Sequence, residues 1–273
     1  MKIVTSYSQQ DLRESLLEIG FRPGDTVSLQ VSLGRLGMLE GASSYEEIAN
    51  VFIDTLLEVL SPEGTLIVPC YTYSIGKGEP FEVEETPSRI GVFPEIFRKR
   101  QNVLRSRDPM LSSCGIGRHA KSILRDISNS CYGEGSVFDR LRKLDAKICT
   151  VGISLYWATY RHYIEEFAEV PFRFRKTFHG TVIEDGKESL EEWIYFAAPL
   201  GVPNCQPDGS RLERLCRDAG LVKTASLGRG ELSAIHAMDY LDYGLEQMKK
   251  DPWLCAEGPP CSIKSFVKNE TTS

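Results

Sequence analysis

The run Gly64-Thr65-Leu66-Ile67-Val68-Pro69-Cys70-Tyr71-Thr72-Tyr73 constrains the fold of this chain more than any other segment. It is apolar almost without a break, so residues 65–73 read as a strand covered on both faces rather than one with a wet side. Such a strand needs helices above and below it, and the neighbouring sequence supplies them. Ser8 can cap a helix carrying Leu12, Leu16, Leu17 and Ile19, and Gly20 ends it. Pro23-Gly24-Asp25 turns into a strand over 26–33, and a helix over 45–60 closes at Ser61-Pro62. Helices over 93–101, 118–128 and 137–144 precede a strand over 146–153, which feeds a helical stretch containing His162. The alternation predicts an α/β layered sandwich with a largely parallel central sheet.

After Gly180 the pattern changes. Asp185-Gly186, between apolar runs 181–184 and 190–197, is a strong hairpin signal and predicts a late antiparallel hairpin. A helix over 210–219, a short strand over 222–225 and a last helix over 231–250 follow, stopped by Asp251-Pro252. Residues 1–257 are expected to form a single α/β domain, and 258–273 a tail that is disordered beyond Phe266.

The charge balance narrows the partners. A formal net charge of −6 argues against nucleic acid and against an anionic membrane surface, so any anionic ligand must be held by a local cluster. No apolar stretch is long enough for a membrane span and the first residues lack a signal-peptide core, which predicts a cytoplasmic protein. The 8 cysteines form no C-x-x-C pair and several sit in apolar runs, so they read as reduced structural thiols rather than metal ligands. No metal is expected.

Of the 4 histidines, His119, His179 and His236 have ordinary surface or core surroundings. His162 follows a strand, where ligand sites gather in open α/β sheets, and Glu165 lies on the same helix face. A primary amine attacking an acyl thioester must lose its proton; an imidazole suits that task, and a carboxylate one turn away can set its tautomer. A solvated His–Glu pair has the same spacing, so the residues by themselves leave both readings open. H-x-x-E offers too few ligands for a metal site. No G-x-S-x-G, Walker A loop or G-x-G-x-x-G occurs, and Gly115-Ile116-Gly117 reads as a tight turn. A second feature is cationic: Arg98, Lys99, Arg100, Arg105 and Arg107 could hold phosphates or merely complement a helix end.

Several segments, in order and spanning about residues 24–253, resemble the aminoglycoside 3-N-acetyltransferase (antibiotic N-acetyltransferase) family. Gly24-Asp25-Thr26-Val27 with Ser32-Leu33 and Gly37 is similar to its first strand and loop, and Gly64-Thr65-Leu66-Ile67-Val68-Pro69 to its second. Pro87-Ser88-Arg89-Ile90-Gly91-Val92-Phe93-Pro94-Glu95-Ile96-Phe97-Arg98 resembles P-S-x-x-G-x-x-P-E-x-F-R. Arg105-Ser106-Arg107-Asp108-Pro109 resembles R-S-x-H-P, and Thr159, His162 and Glu165 fit T-x-x-H-x-x-E.

The resemblance implies an acetyl-CoA-dependent N-acetyltransferase with His162 as base and Glu165 as its partner, and CoA contacts at Ser32, Arg105, Ser106 and Thr159. Two departures stand out: Gln30 and Asp108 occupy positions where the family usually has histidines. Basic residues after the His162 segment suit an anionic acceptor, so the expected acceptor is an amino sugar, free or nucleotide-linked, held by Glu166, Arg173 and Arg175. The alternatives are aminoglycoside 3-N-acetylation and a catalytically inactive CoA-binding relative. The partners expected are a CoA thioester and a small-molecule amine, with self-association into a homo-oligomer left open.

Overall fold

The computed structural model describes residues 6–264 together with 266 and 267. In chain order the elements open with β1 (Ser6–Tyr7), α1 (Gln9–Glu18), β2 (Thr26–Val31), β3 (Met38–Leu39) and α2 (Tyr45–Leu60). There follow β4 (Thr65–Pro69), β5 (Phe81–Glu82), α3 (Val92–Arg98), β6 (Leu104–Arg105), β7 (Ser113–Gly117), α4 (Ala120–Leu124) and α5 (Val137–Lys143). The second half runs β8 (Lys147–Val151), α6 (Tyr160–Phe167), β9 (Phe174–Glu184), β10 (Lys187–Ala197), α7 (Ser210–Asp218), β11 (Lys223–Leu227), β12 (Gly230–His236) and α8 (Ala237–Lys250).

The main sheet has the order β11-β12-β8-β2-β4-β7-β6. Its centre, β8-β2-β4, is parallel, while both flanks pair antiparallel. The expected sandwich is therefore present, with its parallel part in the middle. Successive residues of β4 enter opposite layers: Leu66 and Val68 pack with Leu16, Phe52 and Phe97 from α1, α2 and α3, and Ile67 packs with Leu124, Leu141 and Tyr240 from the helices on the other face. That is how an uninterrupted apolar strand is buried on both sides.

The hairpin is longer than the sequence signal. β9 and β10 pair over their full length, with Asp185 and Gly186 both at positive φ, the conformation a two-residue type I′ turn requires. With β5 the hairpin makes a separate three-stranded sheet, and its Trp193 and Phe196 pack into the same apolar cluster as Ile67.

Two expectations are corrected. The helix expected over 231–250 begins only at Ala237, because Gly230–His236 is a strand. Its Leu232, Ser233, Ala234 and Ile235 are all buried, and a short apolar run of that kind carries no period that separates strand from helix. Gly115-Ile116-Gly117 is part of β7 rather than a tight turn. A Cβ on Gly115 would stand 2.4 Å from Ile67 Cδ1 and one on Gly117 2.1 Å from the Gly64 carbonyl, so the glycines serve close approach to β4. In the tail, Ile263 packs into the larger apolar cluster, and Val267, the first residue of the stretch expected to be disordered, donates its N–H to the Ile263 carbonyl at 3.0 Å; 268–273 lie outside the described residues.

The two-sided burial has a measurable consequence. Leu66→Ala and Ile67→Ala are each expected to cost roughly 2–5 kcal/mol in chemical denaturation, whereas Leu190→Ala, 81% exposed in the hairpin, should change stability by less than about 0.5 kcal/mol. A small loss at either residue 66 or 67 would mean that one face of β4 is not covered.

Candidate active site

The parallel strands β2, β4 and β8 end on one side of the sheet, and a cleft of about 520 Å³ lies there, lined by Gln30, Val31, Pro69 and Ile153 from the strand ends and by Thr159 and His162. This is where the crevice of an open α/β sheet is expected. The segment leading into α6 is clamped from two sides. Thr159 N donates to Gln30 Oε1 at 2.7 Å and Gln30 Nε2 donates to the Trp157 carbonyl at 3.1 Å. On the far side the buried Glu213 of α7 accepts from Tyr156 N at 3.0 Å, from Leu155 N at 3.3 Å and from the Ser154 hydroxyl. Gly244 of α8 also lets that helix sit close, since a Cβ there would stand 2.8 Å from Ile164 Cγ2. The start of α6 is thus fixed beside the strand ends, and with it His162.

His162 Nδ1 lies 2.7 Å from Glu165 Oε2. The Glu165 carboxylate is 0% exposed and is gripped by two arginines: Arg161 Nη1 donates to Oε1, and Arg173 Nε lies 2.7 Å from Oε2. Arg173 is itself buried, with Nη1 donating to the Phe196 carbonyl at 3.1 Å and Nη2 lying 2.9 Å from His162 Nδ1. Burial opposes the charge on Glu165, yet Arg161, Arg173 and His162 outweigh it and hold the carboxyl well below the usual carboxylate range. For His162 the balance goes the other way: burial and Arg173 drive the imidazole well below its ordinary range, Glu165 pulls against them, and Arg161 adds to the depression. The ring is therefore neutral at physiological pH, the state a general base needs before it acts. With Nδ1 facing Glu165, Nε2 is the nitrogen left for chemistry. The Tyr132 ring packs edge-on against the imidazole with centroids 5.9 Å apart.

The structure brings His162, Glu165 and Thr159 together and separates the rest of the residues singled out in sequence. Ser32 donates its N–H to the Val151 carbonyl at 2.9 Å and is not among the cleft-lining residues, although Val31 is. Arg105 is buried on edge strand β6, with Nε donating to Ser112 Oγ at 3.2 Å, Nη1 to the carbonyls of Val83 at 3.1 Å and Thr86 at 2.6 Å, and Nη2 to that of Cys70 at 3.1 Å. Ser106 is equally buried, its hydroxyl accepting from Ser113 N at 2.9 Å. The cationic run is dispersed: Arg98 and Lys99 pair with Glu95, Arg100 with Asp54, and Arg107 with Glu191. Glu166 and Arg175 bond to each other at 2.9 Å and line a different cavity of about 350 Å³ with Tyr132 and Tyr163. Arg173, expected at the acceptor, is buried against Glu165. Asp108, where the family usually has histidine, is buried and accepts from Met110 N and Leu111 N, each at 2.8 Å, a turn-making role.

Sequence reasoning missed Arg161, Gln30 as a clamp, and Glu213. Arg161 carries a visible signal, since it precedes Glu165 by one helical turn. Gln30 and Glu213 reach across the fold and leave none. Among the described residues no group of three or more His, Cys, Asp or Glu gathers as a metal site, and no helix is long and apolar enough to cross a membrane.

The chain is similar to known proteins over most of its length. The model of the family described as aminoglycoside 3-N-acetyltransferase matches residues 29–249. The chain is 25% identical over 256 residues to aminoglycoside N(3)-acetyltransferase IV of Salmonella sp, an alignment covering 93% of this chain and 92% of that one. The aminoglycoside acetyltransferase AAC(3)-IVa apoenzyme has the same fold, with a TM-score of 0.76 at 23% identity over 97% of this chain and 98% of the other. AAC-IIIb in its binary complex with CoASH superimposes with a TM-score of 0.77 at 19% identity, covering 94% of this chain and 99% of the other. Acetyl-CoA is the cosubstrate of such enzymes. With the family model spanning most of its length, this chain belongs to the aminoglycoside 3-N-acetyltransferase family.

Proposed function

We propose that the chain acetylates a primary amine of an aminoglycoside-class polycation, with His162 as general base and Glu165 as the group that holds its tautomer. The observation that carries this reading is the 2.7 Å contact between His162 Nδ1 and the buried Glu165 carboxylate, at the wall of the cleft above β2, β4 and β8. Acetyl-CoA supplies the acetyl thioester, and Leu29, Val31, Val68 and Ile90 give the cleft an apolar wall suited to a pantetheine arm. As the amine nitrogen bonds to the thioester carbonyl carbon, His162 Nε2 takes its proton. When the carbon–sulfur bond breaks, that proton passes to the departing sulfur, leaving the amide and CoA thiol. Glu165 stabilises the imidazolium in between.

The acceptor assignment rests on charge as well as kinship. Asp208 and Glu257 line the His162 cleft, and carboxylates there suit an acceptor bearing several ammonium groups. The basic residues that pointed to an anionic, nucleotide-linked amino sugar are committed elsewhere, Arg173 to Glu165 and Arg175 to Glu166. The relatives named above are aminoglycoside acetyltransferases, which favours the alternative stated from sequence over the amino-sugar acceptor.

Thiol release from acetyl-CoA, measured with aminoglycosides, free amino sugars and nucleotide-linked amino sugars, should occur with aminoglycosides at the highest kcat/KM. Release with nucleotide-linked sugars alone would overturn the acceptor assignment, and no release with any amine, although CoA still raises Tm, would turn the chain into a binding protein. His162→Ala should keep Tm and CoA affinity and lose about two to four decades of turnover. Turnover within a few-fold of the parent would remove His162 from the mechanism.

A further inference from the structure

We propose that Arg173 is a positioning residue for the acyl transfer: it pins Glu165 against His162 Nδ1 and stands as a fixed positive charge that keeps the imidazole neutral, so that Nε2 meets the amine as a lone pair. The proposal rests on His162 being the base.

The geometry at Nδ1 carries it. Glu165 Oε2 is 2.7 Å from that nitrogen and Arg173 Nη2 is 2.9 Å from it, and the two make opposite demands. A carboxylate accepts from Nδ1–H, whereas a guanidinium could bond only to a bare Nδ1, which would move the ring hydrogen to Nε2 and abolish the base. The carboxylate is both nearer and anionic, and Arg173 keeps an ion pair with it from Nε, 2.7 Å from Oε2 though without a hydrogen bond, while Nη1 donates to the Phe196 carbonyl. Assigning the Nδ1 hydrogen to Glu165 makes the 2.9 Å approach of Nη2 an electrostatic contact with the ring; the same distance fits donation from Nη2 to a bare Nδ1, and the tautomer measured below decides between the two.

The charges around the ring lead to the same conclusion. From α6 come Glu165 and Arg161, from the segment before β9 comes Arg173, and from the segment before α5 comes the Tyr132 ring. Tyr71, Tyr73, Asp208 and Glu257 line the rest of the cleft. Within the buried cluster two guanidinium groups face one carboxylate, so an excess positive charge exists before any proton arrives. An imidazolium adds a second, in a site where the side chain of Arg173 is 3% exposed and little screened by water. The proton taken from the amine is consequently repelled onward to the departing CoA sulfur, which returns the ring to its starting form after each turnover. Arg173 never touches the acceptor in this scheme; it acts through Glu165 and the ring.

The test reads the ring directly as well as the rate. In the parent, 15N-edited NMR of the imidazoles, with His162 assigned from its loss in His162→Ala, should show a neutral Nδ1–H tautomer that persists to below about pH 5. In Arg173→Met the ring titration should move up by about one to three units, with the acid limb of kcat/KM moving alongside it. Arg173→Lys, which keeps the charge but not the fork, should leave the titration near the parent's while kcat falls. If Arg173→Met does not fold, the parent tautomer and Arg173→Lys still decide the matter. An Nε2–H or charged ring in the parent at pH 7, or an unmoved titration in a folded Arg173→Met, overturns the proposal. Because the titration is observed without turnover, it stands apart from the activity of His162→Ala, whose retention would sink the base itself.

Discussion

The structure turns on one buried carboxylate. Glu165 is wholly enclosed, and a lone anion there would be strongly destabilised by the loss of water. Arg161 supplies one compensating charge from the same helix and Arg173 a second from the segment that starts the hairpin. The pairing therefore welds α6 to the β9–β10 sheet and does so next to the ring of His162. Removing either partner of such an ion pair is costly because the other charge stays buried. One cluster thus joins two structural units and favours the neutral form of the His162 ring.

Everything that positions the cluster is built from the strand ends. β2, β4 and β8 stop at a common level, Gln30 reaches from β2 to the backbone at Trp157 and Thr159, and Glu213 holds Ser154 to Tyr156 from behind. The role of the Gln30 amide is legible from its bonds. A side chain with both a donor and an acceptor can clamp a carbonyl and an N–H two residues apart, which a single imidazole tautomer does only if its two ring nitrogens face those groups. Gln30 thus gives the approach to α6 a tie through both ends of its amide.

Much of the frame was readable from residues. The two-sided burial of β4 follows from its unbroken apolar run, Asp185-Gly186 marks the hairpin turn, and the T-x-x-H-x-x-E spacing places Thr159, His162 and Glu165 at one site. Short buried runs were not readable: Leu232 to Ile235 lack a period that separates strand from helix, and the glycines of β7 are explained only by the strand lying against them. The cations singled out by charge have a common feature. Arg105, Arg107 and Arg173 are cations whose partners, backbone carbonyls and distant carboxylates, are set by tertiary structure. A positive charge in sequence says nothing of whether the fold has already neutralised it.

The central claim is that His162 Nε2 receives the proton of an acceptor amine in the cleft above β2, β4 and β8. A crystal structure of the chain with CoA and an aminoglycoside bound together tests it most directly. The account predicts one acceptor amine nitrogen within about 2.6–3.2 Å of Nε2, with the CoA sulfur beside it and Glu165 still on Nδ1. An amine seated instead in the Glu166–Arg175 cavity, with His162 out of reach of both substrates, would contradict it.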